Sequence, residues 1–173
     1  MVRTFFAAII FLSASLTVFA QKDSSAFAPV CMLPEAKKFD FLLGKWKLKW
    51  NDSLSGTKTV TKELDSCTVY ENYIDDPKTG SYKANSYTIY NQWMKNYSQT
   101  MMDNKGYFMI STGEWKNDKM YFVHKFKNPE GKTQIHRQVY YNIKSDTMDW
   151  DWETSSDEGN TWKKEMTIHY TKF

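Results

Sequence analysis

The sequence predicts an all-β fold, an antiparallel up-and-down barrel of about ten strands with a short helical plug at its N-terminal end. Three observations carry this. Strand-like runs alternate with turn signals at a spacing of about 8 to 12 residues from residue 45 onward. Within the runs polar and apolar side chains alternate, most plainly where Trp46, Leu48 and Trp50 share one face and Lys45, Lys47 and Lys49 the other. No segment after Leu43 keeps helical periodicity over the roughly ten residues a crossover helix needs, which argues against a parallel α/β sheet. Closure is the economical way for so many strands to avoid two exposed edges.

Taken in order, residues 1–20 read as a secretory signal peptide. Arg3 supplies the basic start, an apolar run from Phe5 to Leu12 follows, and Val18-Phe19-Ala20 offers small residues at a cleavage site before Gln21. The run is shorter than the roughly 20 apolar residues of a spanning helix, so no membrane span is expected. A lipidated cysteine would stand directly after the apolar segment, whereas Cys31 comes later. The expected address is therefore secreted or periplasmic.

Residues 21–30 are small, polar and unpatterned, a flexible leader. Residues 31–173 then form a single domain. Pro34-Glu35-Ala36-Lys37-Lys38 can make one helical turn, with Phe39, Leu42 and Leu43 as its apolar side, and this turn is placed as a plug in one barrel end. Strands are expected at 45–51, 57–64, 67–74, 85–90, 95–102, 107–114, 119–127, 133–143, 147–154 and 162–172. The separators, among them Asp103-Asn104-Lys105-Gly106, Lys116-Asn117-Asp118 and Asn128-Pro129-Glu130-Gly131, have the chemistry of bends, so most strands join as hairpins.

The chain has 173 residues and 17% aromatic content, which suits one β-domain with wide amphipathic side chains. Removing Arg3 from its 23 basic residues leaves 22 against 20 acidic ones, with both signs dispersed. No basic stripe points to nucleic acid. The two cysteines, Cys31 and Cys67, are expected to pair in an oxidising compartment, and two isolated cysteines do not supply the four ligands of structural zinc.

The Gly44-Lys45-Trp46 pattern behind a short apolar turn resembles the opening of lipocalins and fatty-acid-binding proteins, the calycin barrels. That resemblance implies that Trp46 closes one barrel end beneath a basic side chain of the last strand, here Lys172. A second resemblance covers almost all of residues 31–173, to a lipocalin-like family of small secreted bacterial proteins of unknown function. Its landmarks occur in order as Cys31 with Pro34-Glu35, Phe39-Asp40-Phe41, Gly44-Lys45-Trp46, Asp65-Ser66-Cys67, Glu71-Asn72, Gln99-Thr100, His136-Arg137 and the run from Trp152-Glu153-Thr154 to Thr161-Trp162. Two positions depart from it: Ser66 stands where glycine is common, and Met101 where an aromatic is common. The run Ser155-Ser156-Asp157-Glu158-Gly159-Asn160-Thr161-Trp162 is also similar to the Asp-box of sialidase-type propellers. One copy cannot build a propeller, so it is read as a hairpin in which Asp157 accepts backbone N–H groups, Gly159 takes a positive φ and Trp162 packs back on the strand.

Glu71 shares a strand face with Val69 and is expected to point inward, where a carboxylate needs a partner such as Arg137 or a polar ligand. Asp149, Asp151 and Glu153 alternate with Met148, Trp150 and Trp152 and read as a solvated face. The histidines His124, His136 and His169 fall in three different strands with no ligand spacing, so no metal site is expected. There is no Gly-x-Ser-x-Gly nucleophile motif. No cofactor is expected; haem held by one histidine near the last strands, as in some small calycin barrels, is the alternative the resemblance implies, and His169 is its candidate.

The leading expectation is a barrel that binds a small apolar or amphipathic ligand, with Trp46, Glu71, Gln99, His136 and Arg137 as candidate lining residues. A hydrolase or isomerase using Glu71 with His136 or Arg137 is the alternative from another class, and a filled-barrel interaction protein is a third.

Overall fold

The computed structural model describes residues 29–50 and 54–173. The expected signal peptide and most of the expected leader lie outside the described residues. Ten strands form the barrel: β1 Gly44–Lys49, β2 Ser55–Glu63, β3 Thr68–Asp75, β4 Lys83–Asn91, β5 Asn96–Asp103, β6 Phe108–Lys116, β7 Lys119–Lys127, β8 Thr133–Tyr141, β9 Thr147–Ser155 and β10 Lys163–Lys172. Each strand pairs antiparallel with the next, and β1 pairs with β10 to close the ring. The fold is therefore an up-and-down, calycin-like barrel. The hairpin between β6 and β7 turns on Asn117 and Asp118, both at positive φ, as a tight primed turn requires.

Alternation sets what faces inward. In β1 Trp46 and Leu48 are buried while Lys45, Lys47 and Lys49 are exposed. The lower half of the barrel is filled. A turn of 3-10 helix (Val30–Met32), the helix α1 (Pro34–Lys37) and a second 3-10 turn (Asp40–Leu42) cross this end. Phe39 packs its ring against Phe41, Tyr97, Phe122 and Tyr140 at centroid distances of 5.3 to 6.2 Å. Each fully buried large side chain contributes about 1.5–3 kcal/mol, so this cluster is the main driving force for the floor.

Four ties hold the plug. Cys31 and Cys67 form a disulfide across 36 residues, a cross-link of a length that stabilises by about 3–4 kcal/mol. The Tyr97 hydroxyl donates to the Glu35 carbonyl, Lys62 pairs with Asp40 at 2.6 Å, and the Trp46 indole N–H donates to the Leu42 carbonyl at 2.6 Å. Lys172 stands opposite Trp46 in the β1–β10 ladder with its ammonium 5.2 Å from the indole centroid. Gly44 sits at φ +121°, and a Cβ there would fall 2.7 Å from Lys172 Cε. Only glycine admits both that backbone and the lysine.

Candidate functional site

Above the plug the barrel is hollow. A cavity of about 900 Å³ opens toward the end formed by the β3–β4, β5–β6 and β7–β8 connections. That size is typical of a small-molecule site. Its walls come from inward positions of all ten strands or their ends, with Trp50, Met101, Met109, Phe126, Trp150, Trp152, Met166 and Ile168 as apolar surface.

Its floor is polar. Glu71, Ser86, Thr88, Gln99 and Gln138 are at most 8% exposed; the first four lie on the adjoining strands β3, β4 and β5, Glu71 opposite Ser86 and Thr88 opposite Gln99, and Gln138 reaches in from β8 across the barrel. Ser86 donates to Glu71 Oε1 at 2.8 Å and Gln99 Nε2 to the same oxygen at 3.1 Å, while Lys58 Nζ donates to Glu71 Oε2 at 2.8 Å. Gln99 Nε2 also donates to Thr88 Oγ1, and its carbonyl accepts from Gln138 Nε2 at 2.9 Å. Donors thus run from Gln138 through Gln99 to Glu71, which orients both amides. Burial pushes the Lys58 ammonium toward neutrality, but the Glu71 carboxylate outweighs this, with smaller help from Tyr140 and Tyr170, and holds its pKa well above the usual lysine value. A buried ion pair of this kind roughly breaks even against apolar side chains of equal volume. Stability alone therefore does not account for it.

The rim is aromatic and acidic. The Tyr73 hydroxyl donates to Asp75 Oδ1 at 2.5 Å, and the Tyr82 backbone N–H to Asp75 Oδ2 at 2.8 Å. Asp103 Oδ1 accepts the backbone N–H groups of Lys105 and Tyr107, both at 2.9 Å. Slight burial pushes Asp103 up, but these bonds and the Tyr82 hydroxyl hold it below the usual carboxylate range. Across the mouth His136 is edge-on to Phe126 and Trp152, with centroids 4.8 and 4.9 Å away. Burial lowers the His136 pKa, and His124, which faces it in the β7–β8 ladder, lowers it further.

One stretch of wall is incomplete. Pairing of β6 with β7 runs from Lys116↔Lys119 to Thr112↔Val123 and stops, although β6 continues to Phe108 and β7 to Lys127. Beyond that point the Ile110 carbonyl is met by the His124 imidazole, Nδ1 at 2.7 Å. A carbonyl only accepts, so this nitrogen carries the proton. The adjoining Tyr107, Phe108 and Ile110 are exposed.

Of the residues proposed from sequence, Glu71, Gln99 and His136 do line the cavity. Trp46 does not; it lies fully buried in the floor with Lys172 over it. Arg137 follows His136 in a strand and so faces the other side, where it pairs with Glu153 and lies over the Trp162 ring at 3.8 Å. The partner of Glu71 is consequently Lys58 and not Arg137, and no hydrogen bond joins Glu71 to His136 among the described residues. His169 is also on the outer face, bonded to Asp149 at 2.6 Å. That placement does not fit a haem held in the barrel through His169. Asp149, Asp151 and Glu153 all face outward, each with a partner, His169, Lys164 and Arg137, but Asp151 is only 4% exposed beneath Tyr141, Thr167 and Lys164, so it does not belong to the solvated face expected from the alternation.

The single Asp-box is a hairpin turn. Asp157 accepts the Thr161 backbone N–H at 2.9 Å and its hydroxyl at 2.6 Å, and these bonds, with Ser155, lower its pKa to about 2. Gly159 has φ +91°. Sequence reasoning missed Lys58, Ser86, Gln138 and His124, and treated the three histidines as unrelated. Gln138 was reachable, being two residues from His136 and so on its face. No protein-family model matches the chain, and no curated protein matches it either.

Proposed function

We propose that this protein is a binding barrel for one small apolar or amphipathic molecule, held in the cavity above the plug. The observation that carries the reading is the combination of about 900 Å³ of hollow interior, walled by aromatic and methionine side chains, with a hydrogen-bonded polar floor. Aromatic walls supply affinity and a few placed polar groups supply orientation. The resemblance of Gly44-Lys45-Trp46 to the opening of lipocalins and fatty-acid-binding proteins supports the same reading. A secreted or periplasmic address is supported by the signal-like residues 1–20 and by the disulfide. Among the described residues no helix is long and apolar enough to cross a membrane.

Titration with a polarity-sensitive apolar dye tests the reading. The expected result is saturable binding of one dye per chain, abolished by Ala84→Phe, which places a ring in the cavity from β4, while the unfolding midpoint is retained. Absence of dye binding to the wild-type chain, or binding unaffected by Ala84→Phe, overturns it.

A further inference from the structure

We infer that the cavity selects an uncharged amphipath, with a hydroxyl or amide as its polar group, and discriminates against carboxylates. The inference rests on the cavity being a binding site. It follows from which polar groups in the wall are already engaged and which are not.

Among the described residues lining the cavity, Lys58 is the one Lys or Arg. Its charge is matched by Glu71 at 2.8 Å. The wall holds two more carboxylates, Asp75 and Asp103; Lys105 at the rim gives Asp103 its backbone N–H, and its ammonium, over the Tyr82 ring at 5.7 Å, offsets the Asp103 charge. An entering carboxylate would therefore meet an excess of like charge inside apolar walls, with no unmatched cation to receive it. A cation fares little better. Both oxygens of Glu71 and of Asp75 already accept hydrogen bonds, and Asp103 is held by two backbone N–H groups and the Tyr82 hydroxyl. A cation would find the charge of these carboxylates already spread over the donors in place, so none stands bare to receive it.

What is left is neutral: besides the Trp150 indole N–H on β9, a donor buried without a partner among the described residues, it sits on β8. Gln138 spends one N–H on Gln99, leaving a second N–H and its carbonyl. His136, two residues away on the same inward face, has aromatic neighbours on its ring and no hydrogen bond to either nitrogen among the described residues. In its neutral form it adds one donor and one acceptor, and burial favours that form. Each of these residues can both give and take a hydrogen bond, which matches a hydroxyl or an amide.

The test compares three probes of equal chain length on the folded wild-type protein: a long-chain alcohol, the corresponding carboxylic acid and the alkyltrimethylammonium. Each is followed by displacement of the apolar dye at neutral pH. The expected order puts the alcohol first, with the acid weaker by about tenfold or more and the ammonium also weaker than the alcohol. Glu71→Gln frees Lys58, so in that variant the acid gains affinity while the alcohol changes little. Gln138→Leu weakens the alcohol and leaves the dye bound. An acid or ammonium that matches or beats the alcohol on the wild-type chain overturns the inference and leaves the binding reading standing. If the dye itself does not bind, both fall together. Should Glu71→Gln fail to fold, the wild-type ranking decides alone.

Discussion

His136 and Arg137 are neighbours in sequence and opposites in role. One lines the cavity; the other clamps β8 to the β9–β10 hairpin from outside, through Glu153 and Trp162. The inward histidine leaves a measurable trace. Burial, then His124, lowers its pKa, and Glu165 acts weakly the other way. The unfolded chain takes up a proton near a pH of about 6.5 that the folded chain refuses, so this residue makes stability fall as pH drops below that value. The expected outcome is an unfolding midpoint that declines from about pH 7 to about pH 5, with a smaller decline in His136→Gln; equal slopes would remove the assignment. At this scale the sequence was informative about faces and silent about partners. Period-two alternation placed Glu71 and Val69 together inside. Pairing Glu71 with Lys58 depends on the β2–β3 register and on side-chain reach, and neither is written in the spacing of residues along one strand.

At the scale of elements, strand number and most strand limits were legible, because turn chemistry separates the runs. The β2–β3 connection is the instructive case. Leu64, Asp65 and Ser66 all have positive φ, at 49°, 53° and 70°, directly before the disulfide-bonded Cys67. An L-residue in that region costs about 1–2 kcal/mol, whereas a glycine costs about 0.4–1 kcal/mol through the freedom it gives the unfolded chain. The first exceeds the second. Ser66→Gly is thus expected to stabilise by about 0.5–1 kcal/mol, read as a higher denaturant midpoint with unchanged slope; a lower midpoint would refute the argument. The same conformational demand gives a physical reason for the glycine common at this position in the family that the sequence resembles.

For the whole molecule, closure and plug were both legible, since ten alternating strands and one short apolar turn leave few other arrangements. The hollow was not. Whether a barrel is filled depends on how summed side-chain volumes compare with the space enclosed, and Phe39, Tyr97, Phe122 and Tyr140 fill only the lower part. The amphipathic Trp46 strand marked the barrel floor, and Trp46 itself accordingly lies below the cavity.

A closed ladder also has a mechanical meaning. A strand leaving an intact ring must break hydrogen bonds on both its sides at once, which makes such a barrel resist opening piecemeal. Between β6 and β7 one side is already undone, and a single imidazole spans the gap at Ile110. The ring therefore carries its own point of weakness, next to the cavity and away from the plug. Native-state hydrogen exchange should find residues 108–111 and 124–127 among the least protected strand segments, Thr112 and Gly113, which pair on both sides, well protected, and a further loss confined to the first group in His124→Ala. Uniform protection along β6 would mean that the ring is as strong there as elsewhere. If the pattern holds, the barrel is better pictured as a sleeve with a short slit than as a cup, and its contents have a side wall that can give.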